Sequence, residues 1–355
     1  MITLRHASKK LRAWQRRKLV TSERELPTIV DLSTRQRESR NLFLRALETG
    51  EIQVTSRVCP ICGGGKSELF ANHDRYGLPI TMVLCSSCPT MYNRMIPDSK
   101  SLNFFYANIY RNLHSPQSAR ALYREQSEIS QVLLSQLLGL SSPSVARSSR
   151  VLDVGSGSGG LVHSFREIGA QTVVLDPGSD FLETAHENGH TVISCMMEEF
   201  SEPITFQVII ARDVLEHARE PRRFLRSLHR VLDTRGFAYV LDPYLNHLES
   251  LGYRNSFRRY LQFAHLTNFT DESFDYLLTS EGFEIVGNPR VGARWVRRRV
   301  LLNRGESNNC PPADALYKLI DEIQRNHLWV ELKHQVVSRF PELTQAVIER
   351  RKVMK

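Results

Sequence analysis

The chain has 355 residues, 41% of them hydrophobic and 24% charged, with a net charge of +9 at neutral pH. These proportions suit a globular protein with its own apolar core and exclude collagen-like or low-complexity chains. No run of about 18 apolar residues occurs, so no transmembrane helix is expected. The charge is concentrated. Residues 1–50 carry 12 Lys/Arg against 5 Asp/Glu, +7 of the +9, so the chain has a basic tail rather than the uniformly basic surface of a nucleic-acid enzyme.

That tail has no acidic residue before Glu23. Residues 1–54 read as a charged helical extension, with a phosphate- or membrane-surface contact and an organelle transit peptide as the other readings. It has no apolar stretch of the kind that directs secretion, and a cytoplasmic location is expected.

Residues 55–100 carry two Cys-x-x-Cys turns, Cys59/Cys62 and Cys85/Cys88, separated by 22 residues. Each turn brings two sulfurs to one side of an ion, and four thiolates close a tetrahedron around Zn²⁺ at about 2.3 Å per bond. Pro60 and Gly63–Gly65 supply the first turn, and the apolar run 80–84 reads as a strand entering the second. All four positions are filled by protein, so this zinc ribbon is expected to be structural. Cys195 and Cys310 read as isolated small hydrophobes.

Residues 101–149 read as a helical lead-in. From residue 150 strand-like and helix-like segments alternate through "RVLDVGSGSGG", "LVHSFREIG", "QTVVLDPG", "FLETAHENG", "HTVISC", "FQVIIA", "PRRFLRSLHRVL" and "FAYVLDP". This βαβ succession predicts a parallel, Rossmann-like α/β sheet over 150–305 with helices on both faces. A glycine turn after the first strand and an acid ending the second form the general pattern for an adenosine-type ligand. Gly155 and Gly157 let the backbone approach it, and Asp176 accepts from ribose hydroxyls.

The strand "VLDVGSGSG" resembles the first motif of class I S-adenosylmethionine-dependent methyltransferases. The stretches 204–243 and 269–286 resemble the segments that follow in the same family. With the cysteine turns ahead of it, the chain resembles methyltransferases that carry an N-terminal zinc-binding module, among them sugar C-methyltransferases. That resemblance implies an S-adenosyl-L-methionine cofactor held by Asp153, Gly155, Ser156 and Gly157 on its methionine and ribose side. Asp176 would take the ribose diol, Met197 would lie against the adenine, and Arg212 would stand among the cofactor contacts. It implies a small-molecule acceptor, such as a sugar nucleotide, glycan precursor or natural-product hydroxyl, walled by the zinc module and by 244–268. An RNA methyltransferase and a non-catalytic scaffold are the alternatives.

Two histidines are candidate bases for the acceptor proton. Asp213, Glu216 and His217 share one face at helical spacing. They resemble the acid/Glu-His cluster of ubiquinone-type O-methyltransferases, where a divalent cation is implicated. They also read as a helix capping box, with Asp213 as the cap. The segment "QFAHLTNFT" resembles the general-base segment of sugar 3-C-methyltransferases and puts His265 on the base, with Gln262 and Ala264 replacing its usual tyrosine and glutamate. Tyr244, Tyr253, Arg258, Arg259 and Tyr260 read as a sugar- and phosphate-contacting face or an ordinary helix surface. Arg297–Arg299 alternate as an edge or last strand. Residues 306–355 form a helical extension whose Leu316, Leu319, Ile320 and Ile323 make an apolar stripe, docked on the core or pairing two copies into a homodimer.

Overall fold

The computed structural model describes residues 28–114, 118–141, 149–155, 157–242, 245–248, 253, 256–290, 292–299 and 309–325. Ser156 and Tyr244 lie outside them, as do most of the basic tail and residues 326–355.

The chain enters through helix α1 (Thr34–Glu48). Ser33 caps it, accepting from the Gln36 amide while the Gln36 side chain accepts from the Ser33 amide. The cysteine module follows as strands β1 (Val54–Ser56), β2 (Ser67–His73), β3 (Pro79–Cys85), β4 (Thr90–Asn93) and β5 (Met95–Pro97). β2, β3 and β4 pair antiparallel, and β1 pairs with β5. Helix α2 (Ser99–Phe105) then runs into a π-helical turn, Tyr106–Tyr110, before the long helix α3 (Ala119–Leu140).

The central sheet forms where the alternation predicts it. β6 (Arg150–Val154), β7 (Gln171–Leu175), β8 (Thr191–Ile193), β9 (Phe206–Arg212) and β10 (Leu232–Leu241) are parallel, linked through helices that include α4 (Ser179–Glu187) and α5 (Pro221–Val231). After β10 the chain leaves this sheet and adds strand β11 (Thr267–Phe269) to β4 of the cysteine module. It returns through helix α6 (Asp271–Ser280), strand β12 (Phe283–Gly287) and strand β13 (Ala293–Arg298). The seven-strand order is β12-β13-β10-β9-β6-β7-β8. The arginine strand is therefore the last strand but not an edge. β13 sits antiparallel between β10 and β12, and Arg297 makes a two-pronged contact with Glu284 at 2.9 and 3.0 Å.

Phe224, Leu225, Leu228 and Val231 of α5 and Phe274, Leu277 and Leu278 of α6 bury against one face of the sheet, together with Cys59, Cys85 and Cys88. α3 and α4 cover the other face with Leu133, Leu137 and Leu182. Truncating Leu228 to alanine here would cost about 2–5 kcal/mol. A second core joins α1, the cysteine module and helix α7 (314–325): Phe43, Phe70, Leu84 and Met91 meet Leu316, Ile320 and Ile323. The C-terminal stripe thus docks within its own chain.

The module is bonded to the sheet domain by half-buried arginines. Arg57 donates to the carbonyls of Asn93 and Arg219, both at 3.0 Å, and to that of Leu266. Arg222 of α5 donates to the Ile61 carbonyl between the first two cysteines. The bonds to Arg219, Leu266 and Ile61 give each carbonyl a charged donor across the boundary.

Candidate active site and thiol cluster

At the carboxyl ends of β6 and β7 a cavity of about 200 Å³ opens. This is the crevice beside the strand-order reversal, where open α/β sheets bind ligands. Gly155 turns the chain out of β6 with φ +76°, and a Cβ there would lie 2.7 Å from Val214, so the turn admits no side chain. Asp176 ends β7 with its carboxyl buried, and its Oδ1 accepts from the Gly178 amide at 2.7 Å. Burial pushes that carboxyl up, while Arg111 and the amides of Gly178 and Gly157 oppose the shift.

Of the cofactor candidates, Gly155, Asp176 and Met197 line the cavity. Asp153 is fully buried beneath it, and Gly157 backs onto Arg111 and Phe181. Arg212 pairs with Asp213 at 3.3 Å and is not among the lining residues.

The opposite wall belongs to residues the sequence did not single out. Tyr106, Ala107, Tyr110 and Arg111 face in from the π-helical turn, a distortion frequent at functional sites. The guanidinium of Arg111 lies 4.0 Å from the Phe181 ring centroid and 3.9 Å from Asp176. The available signal was the aromatic spacing of Tyr106, Tyr110 and His114, which carries no motif. Among the described residues neither the cysteine module (55–100) nor 244–268 lines this cavity, against the expected acceptor walls. The module meets the chain near the cavity through the pairing of β4 with β11.

Asp213 is not a helix cap. It has φ +54°, the only non-glycine residue at positive φ among those described, and its amide donates to the Leu241 carbonyl. The turn after it, Leu215–His217, is 3₁₀ and has no side-chain cap. The left-handed bend instead turns Glu216 inward, 1% exposed, and places His217 on the cavity. Strain of this kind clusters at functional sites.

His217 Nδ1 lies 3.0 Å from the Ala264 carbonyl, and Nε2 lies 3.6 Å from Glu216. His265 is 3% exposed and stands behind it, ring centroids 5.1 Å apart, with the Gln262 amide against its Nε2. It does not border the cavity. Burial holds His217 down to about 4 and His265 well below the ordinary imidazole range. Burial also drives the carboxyls of Glu216 and Asp242 well up, and the neighbouring Asp213 carboxyl adds to both shifts. Burial in the floor thus favours the uncharged form of both the imidazoles and the acids. Ligand atoms of Glu216, His217 and His265 lie within 4.8 Å of one another, a donor set suited to a divalent cation.

The second cluster is the four thiols. Cys59 and Cys88 are 3.5 Å apart, as are Cys62 and Cys85, and all four sulfurs lie within 4.8 Å of one another.

Residues 123–288 match the family whose description is "Methyltransferase domain". That stretch is similar to a methyltransferase domain. It contains the glycine turn, Asp176, Met197 and the Asp213–His217 bend. A ubiquinone biosynthesis O-methyltransferase of Bradyrhizobium sp. is 33% identical over 97 residues, 26% of this chain and 38% of the relative. The mitochondrial one of Schizosaccharomyces pombe is 28% identical over 147 residues, 35% of this chain and 53% of the relative. The chain thus spans 38% and 53% of the length of these two curated relatives. Among solved structures, 1,6-didemethyltoxoflavin-N1-methyltransferase of Burkholderia thailandensis, with bound S-adenosylhomocysteine, is 17% identical to this chain. It aligns with a TM-score of 0.36 over 50% of this chain and 79% of that one. No helix among the described residues is long and apolar enough to cross a membrane.

Proposed function

We propose that this protein is an S-adenosylmethionine-dependent methyltransferase acting on the hydroxyl of a small-molecule acceptor, a sugar nucleotide or glycan precursor included, and that the cysteine module holds a structural zinc. The observation that carries the reading is the cavity itself, with a side-chain-free glycine turn and a buried Asp176 on one side and a neutral His217 on the other. When bound, the cofactor supplies a sulfonium-activated methyl group. Asp176 would accept from the ribose diol, Met197 would pack on the adenine, and Arg111 would meet the methionine carboxylate. His217 takes the acceptor proton at Nε2, since Nδ1–H is engaged by Ala264. His265, Glu216 and Asp242 position that ring.

A second reading of the same trio, a divalent-cation site, is favoured by the grouping of Glu216, His217 and His265. It predicts activity that chelator removes and Mg²⁺ restores.

The four thiols fit zinc. A tetrahedron with Zn–S bonds of about 2.3 Å needs sulfurs about 3.8 Å apart, close to the 3.5 Å seen in two pairs. Labelled-methyl S-adenosylmethionine, the purified protein and host extract split into small-molecule, glycan, RNA and protein fractions test the assignment. Label in the first two fractions is expected. Label in RNA, removed by nuclease, would overturn the acceptor class, and no transfer together with no S-adenosylhomocysteine binding would leave the scaffold alternative.

A further inference from the structure

Asp74 stands in the turn between β2 and β3, at the end of β3 opposite Cys85. It is 1% exposed, a place where a carboxylate is costly unless it is paired or hydrogen-bonded. Its partners are backbone amides. Oδ1 accepts from Tyr76 and Leu78 in its own hairpin, both at 2.8 Å. Oδ2 accepts from the amide of Phe263, 189 residues away, at 2.9 Å. These three donors favour the ionised carboxylate and oppose the cost of burying it. Arg75 adds to the grip. Its amide donates to the Leu261 carbonyl at 3.0 Å and its guanidinium to Gln262 Oε1 at 3.2 Å.

Residues 262–266 fold into one tight turn. The His265 amide donates to the Gln262 carbonyl at 3.1 Å, and the Leu266 amide to the Ala264 carbonyl at 3.0 Å. That Ala264 carbonyl is also the acceptor for His217 Nδ1. On the other flank, the Leu266 carbonyl takes the Asn93 amide at 2.9 Å and the Arg57 guanidinium. The carbonyl facing His217 thus lies between two grips of the cysteine module, one residue from the Phe263 amide. The Phe263 ring packs on Phe43 and Phe105, with centroids 4.6 and 5.0 Å away. Apolar packing is non-directional and sets only where the ring lies. A bond to a carboxylate is directional and roughly twice as strong as one between neutral groups, and it sets how the backbone is turned.

We infer that Asp74 is a positioning residue of the transfer site: by holding the Phe263 amide it sets the direction of the Ala264 carbonyl, and through it the tautomer of His217. Its effect on transfer rests on the assignment of His217 as the base; its effect on the ring rests on the geometry alone. D74N isolates the one bond. The side-chain oxygen of the variant still accepts from Tyr76 and Leu78, while its NH2 group meets the Phe263 N–H, donor against donor.

The test compares full-length D74N with wild type and H217Q by nitrogen NMR of the imidazoles. Calorimetry with S-adenosylhomocysteine and labelled-methyl transfer to the host small-molecule fraction accompany it. The ring missing in H217Q should carry its proton on Nδ1 in wild type and be divided between Nδ1 and Nε2 in D74N. Transfer should fall about tenfold or more. S-adenosylhomocysteine affinity should stay within about twofold of wild type, because Gly155 and Asp176 sit at the ends of β6 and β7. A purely structural role would lower stability and leave the tautomer of the folded protein where it was, so an unshifted ring in folded D74N overturns the inference. If D74N does not fold, a backbone ester in place of the Phe263 amide decides, since it removes that donor and keeps the hairpin bonds. It should give the same divided ring, and an unshifted ring overturns the inference. Equal transfer by wild type and H217Q would sink the base assignment instead, with the tautomer still deciding the role of Asp74.

Discussion

The Nδ1 atom of His217, just after β9 of the seven-stranded sheet, lies 3.0 Å from the backbone carbonyl of Ala264. A carbonyl only accepts, so this contact puts the ring proton on Nδ1 and leaves the Nε2 lone pair for chemistry. Three residues on, strand β11 pairs Thr267 with Tyr92 of the cysteine module. The orientation of the imidazole at the cavity is thereby tied to a sheet whose other end carries the thiol cluster.

The first prediction concerns the protonation of that ring. Burial lowers the His217 pKa to about 4; the Ala264 bond opposes this and Arg111 adds to it. Unfolded, the same imidazole titrates near 6.5. The unfolded chain therefore binds the proton first. Stability from this group is full above about pH 6.5 and is lost as pH falls toward 4, a change of ~3 kcal/mol. Asp74, raised to about 6, works in the opposite sense, so the comparison is wild type against H217Q, in which Asp74 cancels. H217Q should lose less stability between pH 6.5 and 4 in urea denaturation. Histidine NMR should show one ring, missing in H217Q, that stays neutral down to pH 5; titration of that ring near 6.5 would contradict the burial argument.

Asp176→Ala is expected to weaken S-adenosylhomocysteine binding by ~1–3 kcal/mol, because it deletes charged hydrogen bonds inside a buried site. Calorimetry on the folded variant measures this directly. Unchanged affinity would mean that the end of β7 does not meet the ribose.

The fold was legible because the alternation of apolar runs and glycine-ended helices fixes strands and crossovers locally. The Gly155 turn and Asp176 lie where that pattern puts them. The opposite wall was not legible. Tyr110 and Arg111 owe their position to a π-helical turn, and nothing in their spacing distinguishes a lining aromatic from a core one. The cap reading of Asp213 failed for a local reason: the residue adopts the left-handed conformation, which aspartate visits only occasionally and which no neighbouring residue announces.

Gly160 supplies a stability prediction independent of any ligand. A Cβ built there would lie 2.4 Å from the Tyr123 carbonyl and 2.6 Å from Gln126, both on α3. Backbone cannot swing aside as a side chain can, so G160A must push the helix off the sheet, at about 1–3 kcal/mol. Thermal melting should fall accordingly. Gly65, with nothing within 4 Å of its Cβ position, is the control, and G65A should melt within a degree or two of wild type. Equal melting of G160A and G65A would show that α3 does not pack on the glycine loop.

Metal removal should be felt at the cavity as well as at the thiols. The sulfurs of Cys85 and Cys88 hold the end of β3 and the turn into β4, and β4 is the strand to which β11 is added. With zinc stripped by chelator, four free thiols, three of them buried, replace one closed site and the turn loses its cross-link. β4 should fray first, then β11, then the Ala264 carbonyl that orients His217. Hydrogen exchange should therefore rise at 90–93 and at 264–269, while β6 and β7 stay protected by their places inside the seven-stranded sheet. S-adenosylhomocysteine binding, which depends on β6 and β7, should change little, whereas methyl transfer should drop sharply and return when zinc is restored. Faster exchange confined to residues 59–88, with transfer intact, would break the link between the thiol cluster and the histidine.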